Sequence, residues 1–162
     1  MPPLYHLPSF MLRLACLAAV LLVSAASASA QSFPPSARAY LGDWTTYSDD
    51  TGEAQSVIRI TENGGVVEGR VVEVLPTREH PRPNFVCVDC HGRYEGVDLR
   101  QVPLIQNMAW DGKRLSGGRI LDPTSGRHYK LLLTLEGADR LNVRGFLGVK
   151  ALGRTQVWRR AQ

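Results

Sequence analysis

Residues 127–147 read RHYKLLLTLEGADRLNVRGFL, and the alternation within this stretch decides the fold class. Up to Glu136 the apolar residues occupy every second position, as Tyr129, Leu131, Leu133 and Leu135, while polar residues occupy the other face. Leu132 alone breaks that polar face. A period of two is what a strand with one buried face requires, so the stretch predicts a half-buried β-strand.

A second strand follows after a turn. Gly137-Ala138-Asp139 has turn chemistry, because glycine and aspartate tolerate the backbone angles of tight turns. Beyond it, Leu141, Val143 and Leu147 lie opposite polar residues, which places all three on the predicted buried face. Two alternating runs joined by a short turn predict an antiparallel hairpin.

The same pattern extends outward over most of the chain. Short apolar runs separated by Gly, Asn, Asp and Pro predict about eight antiparallel strands. These runs lie near residues 41–48, 54–62, 65–75, 103–110, 113–121, 127–137, 140–149 and 152–160. Short hairpin connections and this number of strands predict an all-β fold, a single antiparallel up-and-down β-barrel. A barrel of this size is either filled by side chains or holds one small ligand.

The first thirty residues predict a secretory signal peptide. Arg13 precedes the apolar run 14–23, and the small residues Ala28-Ser29-Ala30 form a cleavage site. The run is shorter than the roughly 20 residues that cross a bilayer, so no membrane span is expected. Met11 is an alternative start, and the apolar run continues past Cys16, which disfavours lipid attachment there. We expect the protein in the periplasm or outside the cell.

Cleavage after Ala30 leaves residues 31–162, a length that fits one domain. We expect a flexible leader over 31–39 and the barrel domain over 40–162. The exported part carries 18 basic residues against 15 acidic ones, scattered along the chain. No nucleic-acid partner is expected, because a nucleic-acid footprint is a concentrated basic patch.

Residues 76–102 interrupt the series of strands with a segment rich in proline and glycine. A connection of this length is usually functional or unstructured. It contains Cys87-Val88-Asp89-Cys90-His91. In an oxidising compartment two such close thiols favour a local Cys87–Cys90 disulfide, which pins the loop. With a ring of about four residues, the chain-entropy model assigns roughly 2 kcal/mol to this cross-link.

The same motif also fits more specific chemical functions. C-x-x-C-H is the attachment motif of c-type haem, in which Cys87 and Cys90 bond to the vinyl groups and His91 ligates the iron. Haem c is therefore the alternative cofactor, whereas the disulfide hypothesis needs no cofactor. Structural zinc would require a second ligand pair that the chain lacks. A redox-active C-x-x-C gains its low thiol pKa largely from a helix N-terminus, and no strand–motif–helix unit is visible.

Catalytic motifs are not found elsewhere. The chain has no G-x-S-x-G, no P-loop and no G-x-G-x-x-G at a strand–helix junction. Asp49-Asp50 precedes Thr51-Gly52, which is the sequence of a solvated turn rather than of a carboxylate pair for acid–base work. The sequence therefore predicts neither an enzyme nor a metal site.

Several segments together resemble the exported bacterial family called domain of unknown function 2147. The resemblance covers nearly all of residues 40–160 in order. It is carried by Gly42-Asp43-Trp44, Asp50-Thr51-Gly52, Cys87–Gly92, Gly117–Pro123 with Gly126 and Tyr129, Val143–Gly148 and Gly153–Trp158. The family pattern is C-x-x-C-x-G, with a variable residue where this chain has His91, and this weakens the haem hypothesis.

The resemblance implies a lipocalin-like barrel. In such barrels a Gly-x-Trp opens the first strand and an arginine of the last strand packs over the indole. Gly42 and Trp44 match the first part, and Arg154 or Arg159 is expected to supply the arginine. Stacking of guanidinium on indole through a cation–π contact contributes about 0.5–2 kcal/mol. This arrangement is a signature of the fold rather than a binding site.

These observations predict a non-enzymatic exported module that binds a small apolar ligand or an envelope protein. The candidate ligand contacts are Phe85, Tyr94, Trp110 and Tyr129, the aromatic residues that the long loop could bring to one mouth of the barrel. A barrel filled by its own side chains would instead favour a partner-binding role. The alternative from another class is a c-type haem protein. The sequence makes no prediction of the oligomeric state.

Overall fold

The computed structural model describes residues 33–162 except 88, 89, 91 and 124. The predicted signal peptide, residues 1–30, lies outside the described residues. The described chain begins with one short helix, α1 (Pro35–Arg38), and continues almost entirely as strands. The strands are β1 (Gly42–Tyr47), β2 (Ala54–Asn63), β3 (Val66–Val74), β4 (Pro103–Trp110), β5 (Leu115–Ser116), β6 (Arg119–Asp122), β7 (Arg127–Glu136), β8 (Arg140–Phe146) and β9 (Arg154–Arg160).

The predicted all-β, up-and-down barrel is confirmed. Strands that follow one another in the chain pair antiparallel, except β5 and β6, and pairing of β1 with β9 closes the sheet. β5 and β6 both lie between β4 and β7, so they form one interrupted strand. The barrel therefore has eight positions around its circumference. The predicted run 113–121 corresponds to this interrupted strand.

The two ends of the barrel are built differently. Antiparallel order places α1 and the turns after β2, β4 and β7 at one end, which we call the closed end. The turns after β1, β6 and β8 lie at the other end, together with the long segment 75–102. We call this the loop end. Two short 3-10 turns, Gly92–Tyr94 and Lys150–Leu152, also lie there.

The chain before β1 differs from the predicted flexible leader. Residues 35–38 form α1, and Phe33, Ala37 and Tyr40 are buried. Proline at the first helical position favours this turn, since its fixed φ suits a helix start and its missing N–H would have no partner there. The folded domain therefore includes residues 33–40, because these apolar side chains cover the closed end.

β4 is irregular at its centre. Asn107 has a φ of 55°, in the left-handed region that asparagine tolerates better than most residues. Its neighbours Gln106 and Met108 are both buried. Across the barrel wall, Gly118 lies against these residues: a Cβ there would stand 2.5 Å from Met108 Sδ. The bulge thus packs into the gap between β5 and β6, and only glycine fits at 118.

Leu147 is the other difference from the sequence analysis. It was predicted to face the core, yet 56% of it is exposed. β8 ends at Phe146, so Leu147 belongs to the connecting loop and no longer follows the strand alternation. Phe146 is buried although its position is on the outer face. The burial of Phe146 and the exposure of Leu147 together shape the cleft described below.

Candidate functional site: the outer cleft beside the loop end

The barrel interior is filled by its own side chains. A cavity large enough for water would leave accessible area on the side chains that line it. The largest inward side chains show none or almost none, at 0–2% exposure. They are Trp44, Ile58, Ile60, Val67, Ile105, Met108, Leu115, Leu121, Leu131, Leu133, Leu141 and Trp158. These side chains therefore leave no room between them for a ligand.

The closed end is sealed around Trp44. The guanidinium carbon of Arg160 stands 3.8 Å from the centre of the Trp44 ring. Arg160 also donates hydrogen bonds to the carbonyl oxygens of Leu41 and Ala39, both at 2.7 Å. The indole N–H of Trp44 donates to the carbonyl oxygen of Tyr40 at 2.9 Å. This arrangement ties the chain before β1 to the last strand.

The arginine of this signature is Arg160, and the prediction of Arg154 or Arg159 was wrong. Arg154 pairs with Asp49 at the loop end. Arg159 faces outward, with its guanidinium carbon 5.7 Å from the ring centre of Tyr47. Trp44 and Arg160 are register partners on β1 and β9, so their side chains share a face of the sheet. The register between β1 and β9 cannot be read from the sequence. A shift of one residue would place a side chain on the opposite face of the sheet.

The loop end is covered by the segment that carries the cysteines. Cys87 and Cys90 are paired, with Cα atoms 5.4 Å apart, within the usual range of disulfides. Both are 1% exposed and belong to the main cluster of buried side chains. The amide of Cys87 donates to the carbonyl oxygen of Val97 at 2.9 Å, and Gly96 donates back to Cys87 at 3.0 Å. The disulfide thus packs into the core.

The disulfide and c-type haem compete for the same atoms, because each sulfur can form either the S–S bond or a thioether. His91, which the haem hypothesis requires, lies outside the described residues. Within the described part of the chain, no group of three or more His, Cys, Asp and Glu side chains is placed to hold a metal ion.

We expect reduction of the Cys87–Cys90 disulfide to lower the free energy of unfolding by about 2 kcal/mol. The double variant Cys87→Ala/Cys90→Ala should show at least this loss, because it also removes two buried sulfur atoms, and it should no longer respond to reductant. Urea unfolding with and without dithiothreitol measures both effects. Unchanged wild-type stability after confirmed reduction would contradict a pinning role for this bond.

Two of the four predicted ligand contacts lie in this loop and stack with arginines. Arg100 lies over Phe85, with its guanidinium carbon 4.4 Å from the ring centre, and Arg93 lies over Tyr94 at 4.6 Å. The side-chain hydrogen bond from Arg100 also lowers the pKa of Asp98 to about 2. These rings are already covered by neighbours of the same loop.

The other two contacts lie apart. Trp110 lies at the closed end, where its ring meets the ring of Tyr40 edge-on at 5.9 Å. Tyr129 lies in the half of β7 nearer the loop end, opposite Ile120 on β6. The structure therefore does not bring the four aromatic residues together at one mouth.

An open cleft lies on the outside of the barrel instead. Its volume is about 480 Å³. The floor contains Leu132 and Phe146, both outward-facing yet only 8% exposed. Leu132 is the residue that broke the polar face in the sequence, and the cleft explains the exception. The remaining lining residues are Ser116, Gly117, Gly118, Lys130, Leu131, Gly148 and Lys150.

The loop between β8 and β9 forms one wall of this cleft. Arg144 holds the loop in place by donating to the carbonyl oxygen of Lys150 at 2.7 Å and to the hydroxyl of Thr155 at 2.7 Å. The loop leaves large apolar side chains in solvent, with Leu152 82% exposed. The site is not among those predicted from the sequence, although Leu132 and the apolar residues around Gly148 were its signals.

A second cleft, of about 570 Å³, lies beside the start of β2. It is lined by Glu53, Ala54, Leu75, Pro76, Thr77, Arg78 and Pro81. None of these residues is buried, so this cleft lacks the apolar floor of the first one.

The electrostatics of the loop end are set by exposed ion pairs and one histidine. Partial desolvation, together with the positive charges of Arg119 and Arg93, lowers the pKa of His128 below its ordinary value. A group whose pKa falls on folding disfavours the folded state as pH drops below its unfolded pKa. Because its pKa is lowered, His128 is neutral at neutral pH and is no candidate for a cationic anchor at the loop end.

Comparison with known proteins supports the architecture. A family model described as "Uncharacterized protein conserved in bacteria (DUF2147)" matches residues 42–160. The chain belongs to the DUF2147 family. The match begins at Gly42, which opens β1, and ends at Arg160, the arginine stacked on Trp44. In this DUF2147 member, the matched region thus coincides with the closed barrel, and it includes the long loop and the outer cleft.

Among solved structures, the DUF2147 chain is similar to protein HP1028 from the human pathogen Helicobacter pylori, described as belonging to the lipocalin family. The TM-score is 0.62 at 14% sequence identity, over 75% of this chain and 82% of that one. At this identity the likeness shows a shared fold. No curated protein matches the chain. None of the helices in its described part has the length and apolar character needed to cross a membrane.

Proposed function

We propose that this protein is a non-enzymatic, exported binding module that recognises a partner in the cell envelope with its outer surface. The observation that carries the proposal is the filled barrel, whose largest inward side chains are 0–2% exposed. A lipocalin-like fold suggests binding, and a filled interior moves that binding to the outside. The predicted signal peptide of residues 1–30 supports export to the periplasm or out of the cell.

The outer cleft is the best place for this binding. It combines a buried apolar floor, Leu132 and Phe146, with two lysines at its rim, Lys130 and Lys150. Apolar floors with a few polar groups are typical of binding sites. Because the cleft is open along one side of the wall, it suits an extended surface better than an enclosed small molecule.

Native mass spectrometry of the protein, purified from the envelope of cells that export it with its own signal peptide, tests the proposal. We expect a bare polypeptide beginning at Gln31 and two hydrogens lighter than its reduced form. A small molecule other than a lipid that is lost on denaturation would contradict outer-surface recognition. Added mass that survives denaturation would instead indicate covalent haem or a covalently attached lipid.

A filled interior also predicts the effect of making a cavity. Met108→Ala removes a fully buried side chain, so we expect a loss of about 2–5 kcal/mol and a gained affinity for small apolar probes such as benzene. The wild-type protein should bind no benzene by ligand-observed NMR. Val66→Ala, at an exposed position, is the matched control and should behave as wild type. Equal benzene binding by wild type and Met108→Ala would contradict the filled barrel.

A further inference from the structure

We propose that the loop between β8 and β9 docks the protein onto an anionic lipid bilayer. The proposal rests on the proposed function, because it names the partner of the same outer surface. The observation behind it is an unusual concentration of exposed apolar side chains. Among the described residues, five large hydrophobic side chains are exposed, and three of them lie in this one loop: Leu147 at 56%, Val149 at 60% and Leu152 at 82%.

These three side chains are held in solvent by the loop's own structure. Lys150–Leu152 forms a 3-10 turn, and the amide of Gly153 donates to the carbonyl oxygen of Lys150 at 3.0 Å. Arg144 donates to the carbonyl oxygens of Lys150 and Ala151 from the neighbouring strand. The loop is therefore tied down by its backbone, and its apolar side chains remain available to another surface.

The charges around the loop identify the sign of that surface. Lys130 and Lys150 line the adjoining cleft, and Arg144 lies beneath the loop. None of the ion pairs between described residues involves these three cations. Residues 147–153 contain no acidic side chain. The surface that complements them is negatively charged as well as apolar.

A bilayer fits this combination better than a protein does. Three side chains in one loop cover much less than the roughly 800 Å² that each partner contributes to a stable protein interface. Shallow insertion of a few apolar side chains beside basic residues is sufficient for reversible attachment to anionic lipid. Each cation near such a surface strengthens binding roughly fivefold.

The cleft extends the same surface. Gly148 and Lys150 belong both to the loop and to the cleft wall, so Leu132 and Phe146 lie next to the inserted side chains. A lipid whose headgroup meets Lys130 or Lys150 could lay part of its acyl chain on this floor. The loop that docks onto the bilayer and the cleft therefore form one continuous site.

Vesicle co-sedimentation of the full exported protein tests the proposal. We expect binding to phosphatidylcholine vesicles that contain about one third phosphatidylglycerol, and little binding to pure phosphatidylcholine. At about 0.5 M salt the binding should fall at least tenfold, because the Debye length becomes only a few ångströms. Equal binding to the two kinds of vesicle, or to neither, would overturn the proposal.

Paired variants separate the loop from the rest of the surface. Leu147→Ser/Val149→Ser/Leu152→Ser should weaken vesicle binding at least tenfold with unchanged thermal stability, because all three side chains are already exposed. Val66→Ser/Val86→Ser removes the other two exposed apolar side chains and should have no effect. The same loss in both variants would overturn the assignment to this loop.

The charge requirement has its own control. Lys130→Gln/Lys150→Gln should weaken binding to anionic vesicles at least tenfold at low salt. Lys113→Gln, an exposed lysine in the turn between β4 and β5 at the closed end, should not. If a photo-crosslinker at position 152 of the otherwise unchanged protein captures an envelope protein while vesicles never bind, the lipid proposal fails and outer-surface recognition stands.

Discussion

Gly118→Ala is expected to lower the free energy of unfolding by at least about 3 kcal/mol, which corresponds to roughly 10 °C in Tm. The physical reason is a collision with backbone. The added Cβ would overlap the carbonyl oxygen of Gln106, and it would lie 2.8 Å from the carbonyl carbon of Asn107. Met108 Sδ could move away, but the backbone of the bulge could not without breaking the pairing around it.

Gly145→Ala is the matched control for this prediction. Gly145 is an inward-facing glycine of β8, and a Cβ there would meet its nearest neighbour, Tyr129 Cβ, at an ordinary 3.5 Å. We expect a change of less than about 1 kcal/mol, since alanine there meets no steric conflict. Urea unfolding of both variants decides the matter. Equal losses in the two would show that the bulge of β4 adapts and that Gly118 is not required.

Arg160→Ala is expected to cost about 3 kcal/mol. The substitution removes the cation–π contact with Trp44 and the two hydrogen bonds at 2.7 Å to Leu41 and Ala39. It also leaves these carbonyl groups without the donor that links the N-terminal segment to β9. The indole fluorescence of the folded protein should change, because Trp44 loses the cation over its ring.

Arg159→Ala supplies the comparison. Arg159 is exposed and makes only a distant contact with Tyr47, 5.7 Å from guanidinium carbon to ring centre, so we expect a loss below about 0.5 kcal/mol. Thermal and urea unfolding, followed by tryptophan fluorescence, measure both variants. A larger loss for Arg159→Ala than for Arg160→Ala would mean that the register of β1 and β9 is shifted by one residue.

The fold was open to prediction because its signals are local. Alternation between Tyr129 and Leu135 reports which face of a strand is buried, and turn residues report where strands end. Both depend on neighbours in the chain, so the number and direction of strands followed. The site was less predictable: aromatic residues were chosen as ligand contacts for their chemistry, and Trp110 proved to lie at the opposite end of the barrel from the long loop.

The sheet register and the point at which β8 ends explain why the arginine over Trp44 and the outer cleft could not be predicted. Arg159 and Arg160 are neighbours of the same type, and the sheet register alone decides which of them faces Trp44. The end of β8 at Phe146 turned Leu147 out of the core and left Phe146 beneath the loop. Such shifts of one residue move a side chain from one face of the sheet to the other, so small errors of register change the predicted site.

The sequence by itself determined the class of fold, the antiparallel order of its strands, the position of the long cysteine-bearing loop and the family. Local periodicity and turn chemistry suffice for these. Only the tertiary structure decided that the barrel is filled, that Arg160 seals it and that Leu132 and Phe146 form an outer cleft. These properties depend on how side chains distant in the chain share one volume, and close packing across the barrel determines that.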